Sequence, residues 1–201
     1  MKKNYFDNYT FWTGILITSL VVANVVAGKV IQINGIVLPA AVVSYAFTFL
    51  CTDVINEKWG KEKATQSVII GFTTQVFAAL LILMAQYLPV APFATETQEA
   101  YKIILGQNWR FVIASLTAYL IAQNVDVRLF DFLKKRTDGK HKWVRNNVST
   151  LTSQLVDTSI FITIAFWGSV PSILVMIFSQ YIIKLGLALI DTPIFYLITK
   201  D

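Results

Sequence analysis

The sequence predicts an all-α polytopic membrane protein, six transmembrane helices in one bundle with both termini cytoplasmic. Three observations carry that prediction. Hydrophobic residues make up 55% and charged residues 14% of the 201, with a mean hydropathy of +0.58; a soluble domain of that composition would lack the polar surface to cover itself. Long charge-free runs recur along the chain. The basic residues fall almost entirely on one side of a six-span arrangement, the bias that sets membrane orientation.

The elements follow in order. The first run, Asn8 to Gly28, comes after Met1-Lys2-Lys3. It reads as an uncleaved helix and not a signal peptide: it is long, Asn24 stands three residues before Ala27 where cleavage needs a small residue, and more spans follow. Val30 to Thr52 and Ala64 to Thr95 are equally free of charge, and each is long enough to cross roughly 30 Å of hydrocarbon. Pro89 to Asn108, with Glu96 and Glu99, reads as an external segment holding a short amphipathic helix. The remaining spans, about Trp109–Phe132, Val148–Trp167 and Ser172–Ile198, have the right length but contain isolated charges. Lys134 to Lys142 reads as a basic loop with a Thr137-Asp138-Gly139 turn. No linker divides residues 1–201, so a single six-helix domain is expected.

Lys2, Lys3, Lys58, Lys61, Lys63, Lys134, Lys135, Arg136, Lys140, Lys142, Arg145 and Lys200 lie on the expected cytoplasmic side, and Lys29, Lys102 and Arg110 on the other. The net charge of +5 is thus a topology signal and not a nucleic-acid footprint. Trp12, Trp59, Trp109, Trp143 and Trp167 all fall near span ends, where indole rings settle at the membrane interface. With Cys51 the only cysteine and His141 the only histidine, thiol, zinc and Ser-His chemistry lack material. No Gly-rich phosphate loop is present and no cofactor is expected.

The chemistry lies inside the apolar runs. Ala122 to Phe130 and Ser153 to Phe161 nearly repeat each other, each with a glutamine three residues before an aspartate. An ionisable group in a membrane span costs roughly 2.5–3.5 kcal/mol on insertion scales, so it faces the bundle interior or a polar cavity. Tyr119, Gln123, Asp126 and Phe130 share one helical stripe, and Thr150, Gln154, Asp157 and Phe161 repeat its spacing. Tyr45, Phe49, Asp53 and Asn56 form a third stripe, and Gln180, Lys184 and Asp191 a fourth. At 1.5 Å per residue Asp126 lies roughly 12 Å from Lys134 and Asp157 roughly 18 Å from Arg145, so the carboxylates should gather in the inner half of the bilayer. Each charge also has a structural reading: Asp126 with Arg128, or Lys184 with Asp191, as helix-locking ion pairs, and the glutamines as interhelical hydrogen-bond partners. Glu57, followed by Lys58-Trp59-Gly60, fits an interfacial position.

The chain resembles the queuosine precursor transporter family, a branch of the vitamin uptake transporters. The likeness rests on Asn24 and Lys29, on Asp53-Val-Ile-Asn56-Glu57-Lys-Trp-Gly60 with Ala64, on Gln123-Asn-Val-Asp126-Val-Arg128-Leu-Phe130, on Trp143-Val-Arg145-Asn146-Asn147-Val-Ser149-Thr150 with Ser153-Gln154-Leu-Val-Asp157-Thr158, and on Asp191-Thr192-Pro193. The resemblance implies import across the inner membrane of 7-deazaguanines such as 7-cyano- and 7-aminomethyl-7-deazaguanine for tRNA modification. The residues suit a small nucleobase-like solute: a carboxylate accepts two adjacent N–H donors and a glutamine amide serves a carbonyl. The expected roles are Asp126 or Asp157 reading the guanine edge, Gln123 and Gln154 orienting it, and Asn24, Lys29 and Arg145 lining or gating the path, with Asp53 and Glu57 as further candidates.

Energy coupling stays open between proton coupling through a carboxylate, facilitated diffusion with metabolic trapping, and docking to a separate energising subunit. The last would make the chain the substrate-binding subunit of a multi-subunit system, with Ala23 and Ala27 as a small-xxx-small docking face. An intramembrane enzyme built on paired carboxylates sharing a proton is a different class of alternative; the glutamine beside each aspartate favours binding. The partners expected are the solute and the lipid bilayer, with no nucleic acid.

Overall fold

The computed structural model describes residues 8–137 and 142–199, without the side chains of residues 127, 130, 131, 134, 142–146 and 188–199. The chain is mostly helical. Helix α1 (Tyr9–Val26) is followed by a hairpin of β1 (Val30–Ile33) and β2 (Ile36–Pro39), then α2 (Val42–Trp59) and α3 (Lys61–Tyr87). The short α4 (Thr95–Leu105) precedes α5 (Asn108–Arg136), α6 (Lys142–Phe166) and α7 (Ile173–Thr199).

Local chemistry accounts for the boundaries. Asn8 caps α1, its side chain accepting from the Thr10 N–H at 2.9 Å. Gly60, at φ 86°, ends α2 and begins α3, a turn that folds the two helices back on each other. Arg110 on α5 caps the far end of α6, with Nε 2.7 Å from the Ile164 carbonyl and Nη2 2.9 Å from that of Trp167. That contact explains one of the few charges at this end of the bundle.

The run from Val30 to Thr52 is not one helix. Its first part is the hairpin, paired from Val30↔Pro39 to Ile33↔Ile36. Asn34 (φ 48°) and Gly35 (φ 83°) form the turn, the Asn-Gly pair that supplies two positive φ values and matches strand twist. β-branched Val30, Ile31, Ile33, Ile36 and Val37 flank it and favour strands; hydropathy alone could not tell these strands from a span. The short helix expected between Pro89 and Asn108 is present as α4. The basic loop is shorter than expected, because α5 continues through Lys134 to Arg136; residues 138–141 lie outside the description.

Two cores hold the bundle. Near the hairpin, Ala23, Ala27, Ala114 and Ala118 let α1 and α5 approach beside Phe111, Phe161, Phe166 and Met176. Toward the α2–α3 turn, Trp12, Leu16 and Leu20 pack on Leu50, Val54, Ile55 and Ala64. Trp12, in the first turn of α1, is buried in this core, whereas Trp109 and Trp167 are exposed; the Trp143 side chain lies outside the description. Tyr9 and Thr13 on α1 both meet Ser67 on α3, at 2.8 and 3.1 Å. Gly71 permits the close crossing of these helices, since a Cβ there would stand 2.5 Å from Leu20.

The outer surface is apolar. Phe77, Leu80, Met84, Leu120, Leu174 and Phe178 are all exposed, a belt that water would not tolerate and lipid would cover. Three segments among the described residues, Tyr9–Val26, Lys61–Tyr87 and Asn147–Phe166, are long and apolar enough to cross a membrane.

Candidate functional site

A cavity of about 510 Å³ lies between the long helices, within the size range of small-molecule sites. The stripes predicted from spacing converge on it. Tyr119, Gln123 and Asp126 line it from α5, Thr150, Gln154, Asp157 and Phe161 from α6, Tyr45, Phe49, Asp53 and Asn56 from α2, and Gln180 and Lys184 from α7. Its wall reaches the exposed Asp53, Asn56 and Lys61 beside the α2–α3 turn, so that end opens to solvent. The hairpin end is sealed by Ala41, Phe111, Phe166 and Met176.

The polar groups form layers. Deepest is an ion pair: Lys184 Nζ lies 3.0 Å from Asp157 Oδ2 and 3.1 Å from Thr158 Oγ1. The ammonium also stands 5.8 Å from the centroid of the Tyr45 ring, within cation–π range. One turn along α6, the single hydroxyl hydrogen of Ser153 is shared between the Thr150 carbonyl at 3.0 Å and Asp126 Oδ1 at 3.2 Å, and Gln123 lines the cavity beside this second layer. Gln154 Oε1 and Gln180 Oε1 are buried carbonyl oxygens with no hydrogen-bond partner among the described residues, and both glutamines line the cavity. Acceptors left unpaired in a protein interior are costly, and a turn of either amide toward the cavity would let a guest supply the donor.

A directed chain leads away from the ion pair. Ser115 has one hydroxyl hydrogen and donates it to Asn24 Oδ1 at 3.2 Å; Tyr45 OH, 3.0 Å from the same Ser115 oxygen, is then the donor of that bond. Asn24 Nδ2 donates in turn to the Leu20 carbonyl at 3.2 Å. Asn24 thus sits behind the cavity wall and not on it.

Of the residues singled out from sequence, Asp53, Gln123, Asp126, Gln154 and Asp157 share the cavity. Lys29 and Glu57 are exposed and lie off its wall. The side chains of Arg145, Phe130 and Asp191 lie outside the description. The ion pair runs between helices: Lys184 pairs with Asp157 of α6, and Asp126 accepts from Ser153. Residues two apart on a helix, such as Asp126 and Arg128, point away from each other. Sequence reasoning placed Tyr45, Gln180 and Lys184 on polar stripes without naming them among the binding residues, and it missed Ser115, which no periodic pattern marks.

Ala23 and Ala27 are fully buried in the α1–α5 contact. That pair of small residues is used within the chain.

A lipid-facing helical bundle around an open-ended, solute-sized polar cavity is the architecture of a membrane transporter. Residues 39–198 match the family model described as "Putative vitamin uptake transporter". The chain is 33% identical over 193 residues to the "Probable queuosine precursor transporter" of Bacillus subtilis (strain 168), covering 94% of this chain and 82% of that one. It is 26% identical over 155 residues to the protein of that name from Haemophilus influenzae and 28% identical over 130 residues to the "Queuosine precursor transporter" of Escherichia coli (strain K12), covering 73% and 63% of this chain and 62% and 54% of theirs. No solved structure gives a significant match. The chain belongs to the queuosine precursor transporter family of vitamin uptake transporters. That family consists of transporters and not enzymes, and the intramembrane-enzyme alternative falls with it; Asp157 moreover faces an ammonium, not a second carboxylate.

Proposed function

We propose that this chain imports 7-deazaguanine precursors of queuosine, 7-cyano-7-deazaguanine and 7-aminomethyl-7-deazaguanine among them, and that the cavity is where they bind. In this reading residues 1–201 form one transporter domain of the inner membrane, α1, α2, α3, α5, α6 and α7 all span, and both termini are cytoplasmic. Lys58, Lys61 and Lys63 at the open end of the cavity support that orientation.

The observation that carries the reading is the convergence of both Gln-x-x-Asp stripes on one cavity whose wall also holds two unpartnered buried carbonyls. A 7-deazaguanine offers an amino group, ring N–H donors and a flat π face. Asp126, with one oxygen engaged by Ser153, takes the amino and ring N–H edge. Gln154 and Gln180 take the remaining donors, Gln123 orients the carbonyl edge, and Tyr119 and Phe161 offer ring faces for stacking. Asp157 holds Lys184 at the floor and is the group on which proton coupling would act. Asp53 lies at the mouth. Because the α1 small-residue face is spent inside the chain, we favour transport by this chain without a separate energising subunit.

Labelled 7-cyano-7-deazaguanine uptake by a strain lacking its own importer and precursor synthesis, complemented with this chain, tests the proposal. Uptake is expected with the wild type and absent with Asp126→Asn and Asp157→Asn, both inserted at wild-type levels. Wild-type uptake by both variants would refute the site.

A further inference from the structure

A second polar feature lies between α1, α3 and α5, on the hairpin side of the cavity. Gln75, in the middle of α3, is 1% exposed. Neither its Nε2 nor its Oε1 has a hydrogen-bond partner among the described residues. Buried amides are normally paired, and in an apolar bundle the incentive to pair is stronger still. Gln75, Asn24 of α1 and the buried Asn108, first residue of α5, line one seam otherwise walled by Val21, Val25, Ala78, Ile82 and Val112. The seam is too tight to admit a water molecule.

It is also continuous with the functional cavity. Asn24 accepts from Ser115, which accepts from Tyr45, and both of these line the cavity. In the other direction, Gln86 lies eleven residues beyond Gln75 on the same face of α3, roughly 16 Å farther along; its Nε2 is likewise buried without a partner. Hydrogen-bonding groups therefore run from the cavity floor to the end of the bundle opposite the cavity mouth, through a contact that is shut.

We propose that the seam between α1, α3 and α5 is the outward half of the permeation path, closed in this structure, where the side-chain amides of Asn24, Gln75 and Asn108 hold a planar hydrogen-bonding heterocycle as it passes. The identity of the heterocycle rests on the function proposed above. An alternating-access carrier needs two half-paths, only one of them open at a time. The cavity is the open half here. The Gln75 amide, buried without partners among the described residues in the closed state, is explained if it meets partners in the open one, where solute or water enters.

Two arms test this in the full-length chain. Ala78→Cys lines the seam, whereas Leu80→Cys on the same helix faces lipid; Cys51 is buried, so the natural background serves as the blank. A membrane-impermeant maleimide added outside intact cells is expected to modify Ala78→Cys several times faster than Leu80→Cys; equal reactivity would overturn the proposal. In the second arm, Gln75→Leu is expected to slow uptake of 7-cyano-7-deazaguanine by about tenfold or more. Its affinity for that solute in detergent and its thermal stability should be no lower than the wild type's, because leucine removes an unpaired amide. Stability lost together with uptake would make Gln75 structural glue, and unchanged uptake would remove it from the path; either refutes the proposal. A wild type that takes up no 7-cyano-7-deazaguanine would refute the substrate instead, with the labelling arm still deciding the seam.

Discussion

Asp157→Asn and Lys184→Met break the same ion pair, and the structure predicts unequal costs. The Lys184 side chain is 6% exposed and that of Asp157 33%. Removing the carboxylate's charge leaves a largely buried ammonium without a counter-ion, facing only the neutral amide oxygen at position 157, with its contacts to Thr158 Oγ1 and the Tyr45 ring. Breaking a buried pair in this way costs about 3–5 kcal/mol, and we take the lower end, about 3 kcal/mol, because those two contacts remain. Removing the ammonium strands a carboxylate that the open cavity still hydrates, at about 1–2 kcal/mol by the same reasoning. For a domain of this size, the difference corresponds to a melting temperature lower by about 6–12 °C for Asp157→Asn and about 2–8 °C for Lys184→Met. Replacing both, with Leu at 157 and Met at 184, removes the charges together and should restore most of the loss. Tryptophan fluorescence during thermal unfolding in detergent measures all three. Lys184→Met less stable than Asp157→Asn, or a double variant whose loss equals the sum of the two, would refute the argument from unequal burial.

Two further outcomes follow from the packing. Arg110→Met leaves the Ile164 and Trp167 carbonyls without their charged donor and should cost about 1.5–3 kcal/mol; unfolding of the purified protein should register it while solute affinity in the cavity stays unchanged. Ala27→Leu forces a larger side chain into the fully buried α1–α5 contact and should cost about 1–3 kcal/mol by overpacking. A fully stable Ala27→Leu variant that loses only the binding of another membrane subunit would restore the docking role that burial denies.

The polar stripes were readable because helical periodicity places Gln123 with Asp126, and Gln154 with Asp157, on single faces whatever surrounds them. An apolar solvent leaves such faces only the interior to turn to, so their meeting in one cavity followed from composition. Partner choice did not follow. Lys184 shares a sequence stripe with Asp191, yet the neighbour that reaches it is Asp157 on α6, and only the way α6 lies against α7 decides this. Asn24 was expected to line or gate the path; Ser115, a residue with no signal of its own, holds it one layer behind the cavity, on the seam between α1, α3 and α5. The hairpin was legible in Asn34-Gly35, but its β-branched flanks carry the same hydropathy as a span, and turn chemistry had to outweigh it. Gln75 was hidden for the opposite reason: the amide that shares its face of α3, Gln86, stands eleven residues away with Ala78, Ala79, Ile82 and Leu83 between them, too sparse a spacing to read as a polar stripe.

The sequence by itself determined a helical membrane protein, the faces that carry its polar groups and the family to which it belongs, because these depend on composition, local periodicity and short motifs. Only the tertiary structure decided which groups meet: Lys184 with Asp157, Asn24 with Ser115, and Gln75 with none among the described residues. Those pairings depend on how helices distant in sequence cross, and crossing is settled by small residues such as Ala23, Ala27 and Gly71 that look alike whether they face a neighbour in the same chain, another subunit or lipid.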